Sequence, residues 1–233
     1  LGATPLVSGS ADGRDLAFGA LGGLAGAAGV GLLYKGLSIG PMSVVAPITA
    51  LLSAAVPVLW GVVQGERPDL NVAVGMVLAL LAVVLVSAEG GGTFRPADLR
   101  GLVFALGAGL GFGLFFVSLS YTDDGSGVWP LVAARATSVT LVGGLALVGR
   151  VPRKAPTGDA RSLTAVAGAL DAAANVLYLL AIREGLLSVV SVLAALYPTG
   201  TVLLARVVLK ERFAPLQRVG LALAIPAAIL MAL

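Results

Sequence analysis

Ser188-Val-Val-Ser-Val-Leu-Ala-Ala-Leu-Tyr-Pro-Thr-Gly-Thr-Val-Leu-Leu-Ala-Arg-Val-Val-Leu-Lys-Glu-Arg212 is the stretch whose reading decides the fold. From Val189 to Leu204 no side chain is charged, and the polar groups are small hydroxyls and one phenol. An apolar run of this length matches a helix crossing hydrocarbon, which takes roughly 20 residues at about 1.5 Å each. Pro198 lies inside the run, where it removes one backbone N–H and loosens the helix around the carbonyl four residues earlier. In lipid such a break is tolerated where protein or a water-lined cavity satisfies the freed group. The stretch is therefore expected to be a broken membrane helix facing a cavity.

The rest of the chain agrees with a membrane setting. It is 58% hydrophobic and 12% charged, with a mean hydropathy of +1.01. Soluble domains are about 25% charged, so this composition excludes them and predicts an integral, multi-pass protein of the cell membrane. There is no cysteine and no histidine, so the usual zinc, haem and disulfide chemistry has no ligands and no cofactor is expected. A net charge of +3, concentrated in loops, suits an anionic bilayer surface and not a nucleic acid. No charged segment, apolar run and small-residue cleavage site open the chain, so no cleaved leader is expected.

Working outward, seven more apolar segments are expected to span the bilayer: Leu16–Leu37, Ser43–Val63, Val72–Ser87, Gly101–Ser120, Trp129–Val148, Leu163–Ile182 and Leu216–Leu233. Short polar or Gly-rich connections separate them, and no soluble domain is expected. Glycines recur at helical spacing in the first and fourth spans, where small residues permit close helix contact in lipid.

An internal repeat is the second strong signal. At a constant offset of 145, Glu66-Arg67 pairs with Glu211-Arg212, Gly40 with Gly185, and Ser43-Val44-Val45 with Ser188-Val189-Val190. Gly23 pairs with Gly168 and Ala27-Ala28 with Ala172-Ala173 in the same ungapped register. Two spans precede the second copy of this unit and none precedes the first. Equal halves would then hold five helices each, and the first half would lack its first two. An odd number of spans per half forces opposite orientations, the inverted-repeat arrangement of many secondary transporters.

Gly168-Ala-Leu-Asp-Ala-Ala-Ala-Asn-Val-Leu-Tyr through Tyr197-Pro198, Thr201-Val-Leu-Leu-Ala205 and Glu211-Arg212 resembles the EamA family of the drug/metabolite transporter superfamily. The first half carries the pattern more weakly, with Ser53 in the place of Pro198 and a proline four residues on, at Pro57. The resemblance implies ten helices in two inverted five-helix halves and secondary-active movement of small metabolites or drugs, often export. Residues 1–90 would hold the last three helices of a first repeat, and 99–233 a complete second repeat.

Asp171 is the sharpest candidate. An acid at mid-span is costly unless it meets a partner or a cavity, so it is read as a functional site by default. Asn175 and Tyr178 share its helix face. This stripe is expected to line a transport path, with Asp171 taking a proton or a cationic substrate. The alternative is an acid that pairs with Arg135 or Arg206 and fastens helices together. Arg135 matches an arginine that the resemblance implies in the second helix of each half, and is expected to snorkel toward Asp123-Asp124. Tyr197 and Pro198 are expected to line the cavity, and Glu66 and Glu211 to be helix-end features. Asp123-Asp124 is a weak match to a metal–diphosphate site, and no phosphate-binding Gly-Lys-Ser/Thr loop supports direct ATP drive. The expectation is an all-α polytopic transporter with the bilayer and a small-molecule substrate as partners and proton coupling as one option. A truncated assembly subunit and a membrane-embedded enzyme are the rivals.

Overall fold

The computed structural model describes residues 10–87, 99–149, 158–204 and 214–232. Among these residues the chain folds into helices joined by short turns, as bilayer-embedded backbone requires when its polar groups must pair internally. The helices are α1 (Gly13–Ile39), α2 (Met42–Val63), α3 (Leu70–Ser87), α4 (Leu99–Leu119), α5 (Trp129–Val148), α6 (Asp159–Glu184), α7 (Leu187–Ala195), α8 (Tyr197–Leu204) and α9 (Pro215–Ala232). A 3₁₀ turn, Asp124–Ser126, precedes α5. Among the described residues, eight segments are long and apolar enough to cross a membrane, with α7 and α8 together making the seventh. The expected all-α polytopic fold with eight spans is present.

The expected break in the seventh span falls at Leu196, two residues before Pro198. The Leu196 N–H donates to the Leu193 carbonyl at 3.1 Å, and the Thr199 N–H to the Leu196 carbonyl at 2.9 Å. These bonds reach back three residues, the tight 3₁₀ spacing that often ends a helix. Pro198, lacking a donor, cannot restore the four-residue ladder.

The described residues group into two compact units. One comprises residues of Leu1–Ala27 and Ser118–Glu184, the other residues of Ala28–Val117 and Gly185–Leu233. In the first unit α1 packs against α5 at glycine contacts. A Cβ on Gly19 would collide with the Pro130 backbone, and one on Gly23 with the Ala134 backbone. Small residues thus set a backbone-to-backbone approach, the usual adhesive of helices in lipid.

In the second unit α3 packs on α9, where Gly75 faces Met231 and Gly220 faces Val86. Ala54, Met76, Ala79, Val192, Ala195, Ala227 and Met231 make a buried cluster contributed by α2, α3, α7 and α9. α4 lies along α2, where Gly109 faces Leu52 and the Thr49 carbonyl, and Gly113 faces Val56. The buried Thr49 hydroxyl donates to the Ala105 carbonyl at 3.2 Å. α2 ends in a Schellman turn. The Gly65 N–H donates to the Val62 carbonyl (3.0 Å) and the Glu66 N–H to the Gly61 carbonyl (2.9 Å). Gly65 takes the left-handed conformation this turn needs, at φ +93°.

Candidate functional site

Asp171 stands near the middle of α6, and Arg135 about two turns into α5. Within the first unit these two side chains form an ion pair through Arg135 Nη2 and Asp171 Oδ2. Asn175, one turn further along α6, donates from Nδ2 to the Asp171 carbonyl at 2.7 Å and to Asp171 Oδ1 at 3.4 Å. The amide therefore holds the backbone and the carboxylate of the same acid. Tyr178 continues this face toward the end of α6, where it is buried. The stripe thus runs from an open charged end to a closed aromatic one.

The rest of the chain covers this pair only in part. The Arg135 side chain keeps 50% and the Asp171 side chain 60% of its surface uncovered. The pair has further donors and acceptors to offer.

One expectation needs correcting. Arg135 does not extend to Asp123 and Asp124, because an acid of the neighbouring helix is within its reach and the loop already has a cation. That cation is Arg183, in the last turn of α6. Its Nη2 donates to the Asp123 carbonyl (3.1 Å), Ser126 Oγ (3.1 Å) and the Gly127 carbonyl (2.9 Å), and its Nε lies 3.8 Å from Asp124 Oδ1. Asp15, 4% exposed at the start of α1, accepts the Asp123 N–H at 2.9 Å and the Asp12 N–H at 3.2 Å. Asp123 itself caps the 3₁₀ turn by accepting the Gly125 N–H at 2.8 Å. Asp123 and Asp124 are thus occupied in holding a turn. Among the described residues no cluster of acids stands ready for a metal ion.

Asp15 and Arg183 were not singled out from the sequence. An acid at a helix start and an arginine at a helix end each have ordinary local roles, and nothing in the linear order shows that both serve one loop.

Tyr197 and Pro198 belong to the second unit. Tyr197 is 49% exposed just past the break, and Pro198 is buried. The Thr199 hydroxyl is buried with no hydrogen-bond partner. Glu66, expected at a helix end, does more than close its own helix. Its Oε1 accepts the Leu187 N–H at 2.8 Å and its Oε2 the Ser188 N–H at 3.1 Å, at the start of α7. Arg206 and Glu211-Arg212 lie outside the described residues.

Comparison with known proteins places the chain in a family. The sequence profile of the EamA-like transporter family matches residues 3–88 and 99–233, nearly the whole chain. No curated protein matches the chain. A solved structure titled only as a crystal structure of a protein superposes with a TM-score of 0.62 at 17% identity, covering 99% of this chain and 92% of that one. At that identity the likeness speaks for the fold alone. The chain is an integral multi-pass membrane protein, and it belongs to the EamA-like transporter family, within the drug/metabolite transporter superfamily.

Proposed function

We propose that this chain is a secondary-active transporter of the cell membrane that exports small metabolites or drugs by alternating access. The observation that carries the reading is the Arg135–Asp171–Asn175 cluster. On insertion scales a charged side chain at the centre of a membrane helix costs about 2.5 to 3.5 kcal/mol. An acid at mid-span and an arginine about two turns into its helix, both half uncovered by the rest of the chain, suit a surface that fronts water or a polar solute. Asp171 is the candidate for a proton or a cationic group, Arg135 for an anionic one, and Asn175 for holding the carboxylate in place. Tyr178, Tyr197 and Pro198 are proposed as further parts of the path.

The repeat at offset 145 supports two related halves, with residues 1–90 giving the last three helices of one and 99–233 the five of the other. Opposite orientation of such halves would supply the exchange between outward- and inward-open states that transport without a nucleotide-driven motor requires.

The test uses the full chain in proteoliposomes with an imposed pH gradient, with labelled amino acids and ethidium as probes. Gradient-dependent flux that falls at least tenfold in Asp171→Asn is the expected result. Equal flux in that variant would remove Asp171 from the path. Absence of flux for every probe would count against transport and favour an assembly-subunit role.

A further inference from the structure

The half-helix α7 starts without any acceptor of its own. Its first residue follows Leu186, whose side chain makes no capping bond, and Gly185 before it has no side chain to offer. The first N–H groups of a helix have no partner within it, and Ser, Thr, Asp or Asn usually supplies one. Here the acceptor comes from far along the chain. Glu66 stands 121 residues before Leu187, and its two carboxylate oxygens take the N–H groups of Leu187 and Ser188 separately. A negative charge is also the favourable one at this end of a helix.

The rest of the second unit is shaped to hold that carboxylate. The Schellman turn at Gly65 folds Glu66 back over the last turn of α2. There Gly61 leaves the space free, since a Cβ at that position would collide with Glu66 Oε2. Glu66 is partly buried, whereas its neighbour Arg67 is exposed. The sequence repeat carries both partners of this contact. The offset that relates Glu66-Arg67 to Glu211-Arg212 also relates Ser188-Val189-Val190, at the capped helix start, to Ser43-Val44-Val45.

α7 is only nine residues long. Its buried side, Leu187, Ser188, Ser191, Val192 and Ala195, rests in the unit's core, and its far end is the break that leads into Tyr197 and Pro198. A short, stiff helix fixed at one end transmits that fixation to the other.

We infer that Glu66 is a positioning residue: its carboxylate seats the start of α7 and through it sets where Tyr197 and Pro198 stand. That this placement serves transport rests on the function proposed above; the seating of α7 does not.

The chain has no native cysteine, so a single introduced thiol reports cleanly. Hydrogen exchange of peptides covering Leu187 and Ser188 would be followed in nanodiscs, together with the maleimide reaction rate of a Tyr197→Cys variant. Both would be read in backgrounds of Glu66→Ala, Glu66→Gln and Arg67→Ala, each checked for a cooperative melting transition that shows it to be folded at the assay temperature. Exchange is expected to rise at least tenfold in Glu66→Ala, less in Glu66→Gln, which keeps one acceptor, and not in Arg67→Ala. The thiol rate should change at least threefold in the same order. Unaltered exchange in a folded Glu66 variant would overturn the proposal. So would faster exchange with an unchanged thiol rate, since the carboxylate would then be a cap and nothing more. If Glu66→Ala does not fold, Glu66→Gln decides by the same two readings. Neither reading needs a transported solute, so this proposal and the transport reading fail separately.

Discussion

α2 and the α7–α8 pair correspond through the sequence repeat, both contain proline, and only one of them breaks. α2 runs without interruption from Met42 to Val63 through Pro47 and Pro57. The other span stops at Leu196 and resumes at Tyr197. Proline alone therefore does not decide the outcome. The equivalent of Pro198 in α2 is Ser53, which keeps its N–H and whose hydroxyl donates to the Ala50 carbonyl at 2.8 Å. Neighbours differ as well. α4 braces α2 between Thr49 and Val56, with glycines that admit Leu52 and Val56 and a hydroxyl bond to Ala105. Beyond the break in the other span, a Cβ on Gly200 would meet nothing within 4 Å, and Tyr197 is half exposed. The two spans therefore differ both in the residue at the equivalent position and in the packing beside it, although Leu196 and Pro198 themselves rest against the core.

The most direct way to break this comparison is to remove the proline. Pro198→Ala restores an N–H for the Ala194 carbonyl, and α7 and α8 should fuse. Proline in a helix interior costs about 3 kcal/mol relative to alanine, an upper bound on the gain in stability here. Spin labels at positions 193 and 203 should then move toward the separation of a straight helix, about 15 Å along its axis. An unchanged separation would mean that the break is imposed by packing and not by Pro198.

A second change attacks the brace. Gly109→Ala sets a Cβ 2.7 Å from the Leu52 Cβ and 2.8 Å from the Thr49 carbonyl oxygen, so α4 and α2 must separate. A loss of about 1 to 3 kcal/mol in unfolding measurements is expected for such overpacking. Gly200→Ala, in open space, should lose nothing. Equal losses at both positions would remove the contrast between the two spans.

The smallest effect belongs to one hydrogen bond. Thr49→Val keeps the shape and deletes the bond to Ala105, and interhelical bonds of this kind average about 0.6 kcal/mol. A loss well above about 1.7 kcal/mol, the top of the measured range, would show that the hydroxyl does more than brace α2.

Much of this architecture was readable before any coordinates. Apolar length and turn residues located the eight spans to within a few residues. Pro198 pointed to the break, and helical spacing put Asp171, Asn175 and Tyr178 on one face. These are local properties of the chain. Pairings across long separations were not readable. Arg135 had two destinations, the Asp123-Asp124 loop before its own helix and Asp171 across the helix pair, and which it reaches depends on how α5 and α6 lie. The bonds from Glu66 to Leu187 and Ser188 and from Asp15 to Asp123 join residues whose identities alone suggest only ordinary helix ends. Charge at a helix terminus is common enough that it names a role without naming the partner.

The central claim is that the Arg135–Asp171 pair meets a solute or proton and is not a mere fastener. Exchanging the charges in the doubly substituted Arg135→Asp, Asp171→Arg chain tests it directly, with gradient-driven flux and melting temperature measured on the same preparation. The account predicts that the exchange restores the stability lost in either single variant while flux stays at least tenfold below that of the native chain. Recovery of flux together with stability would contradict it and leave the pair as a structural link between α5 and α6.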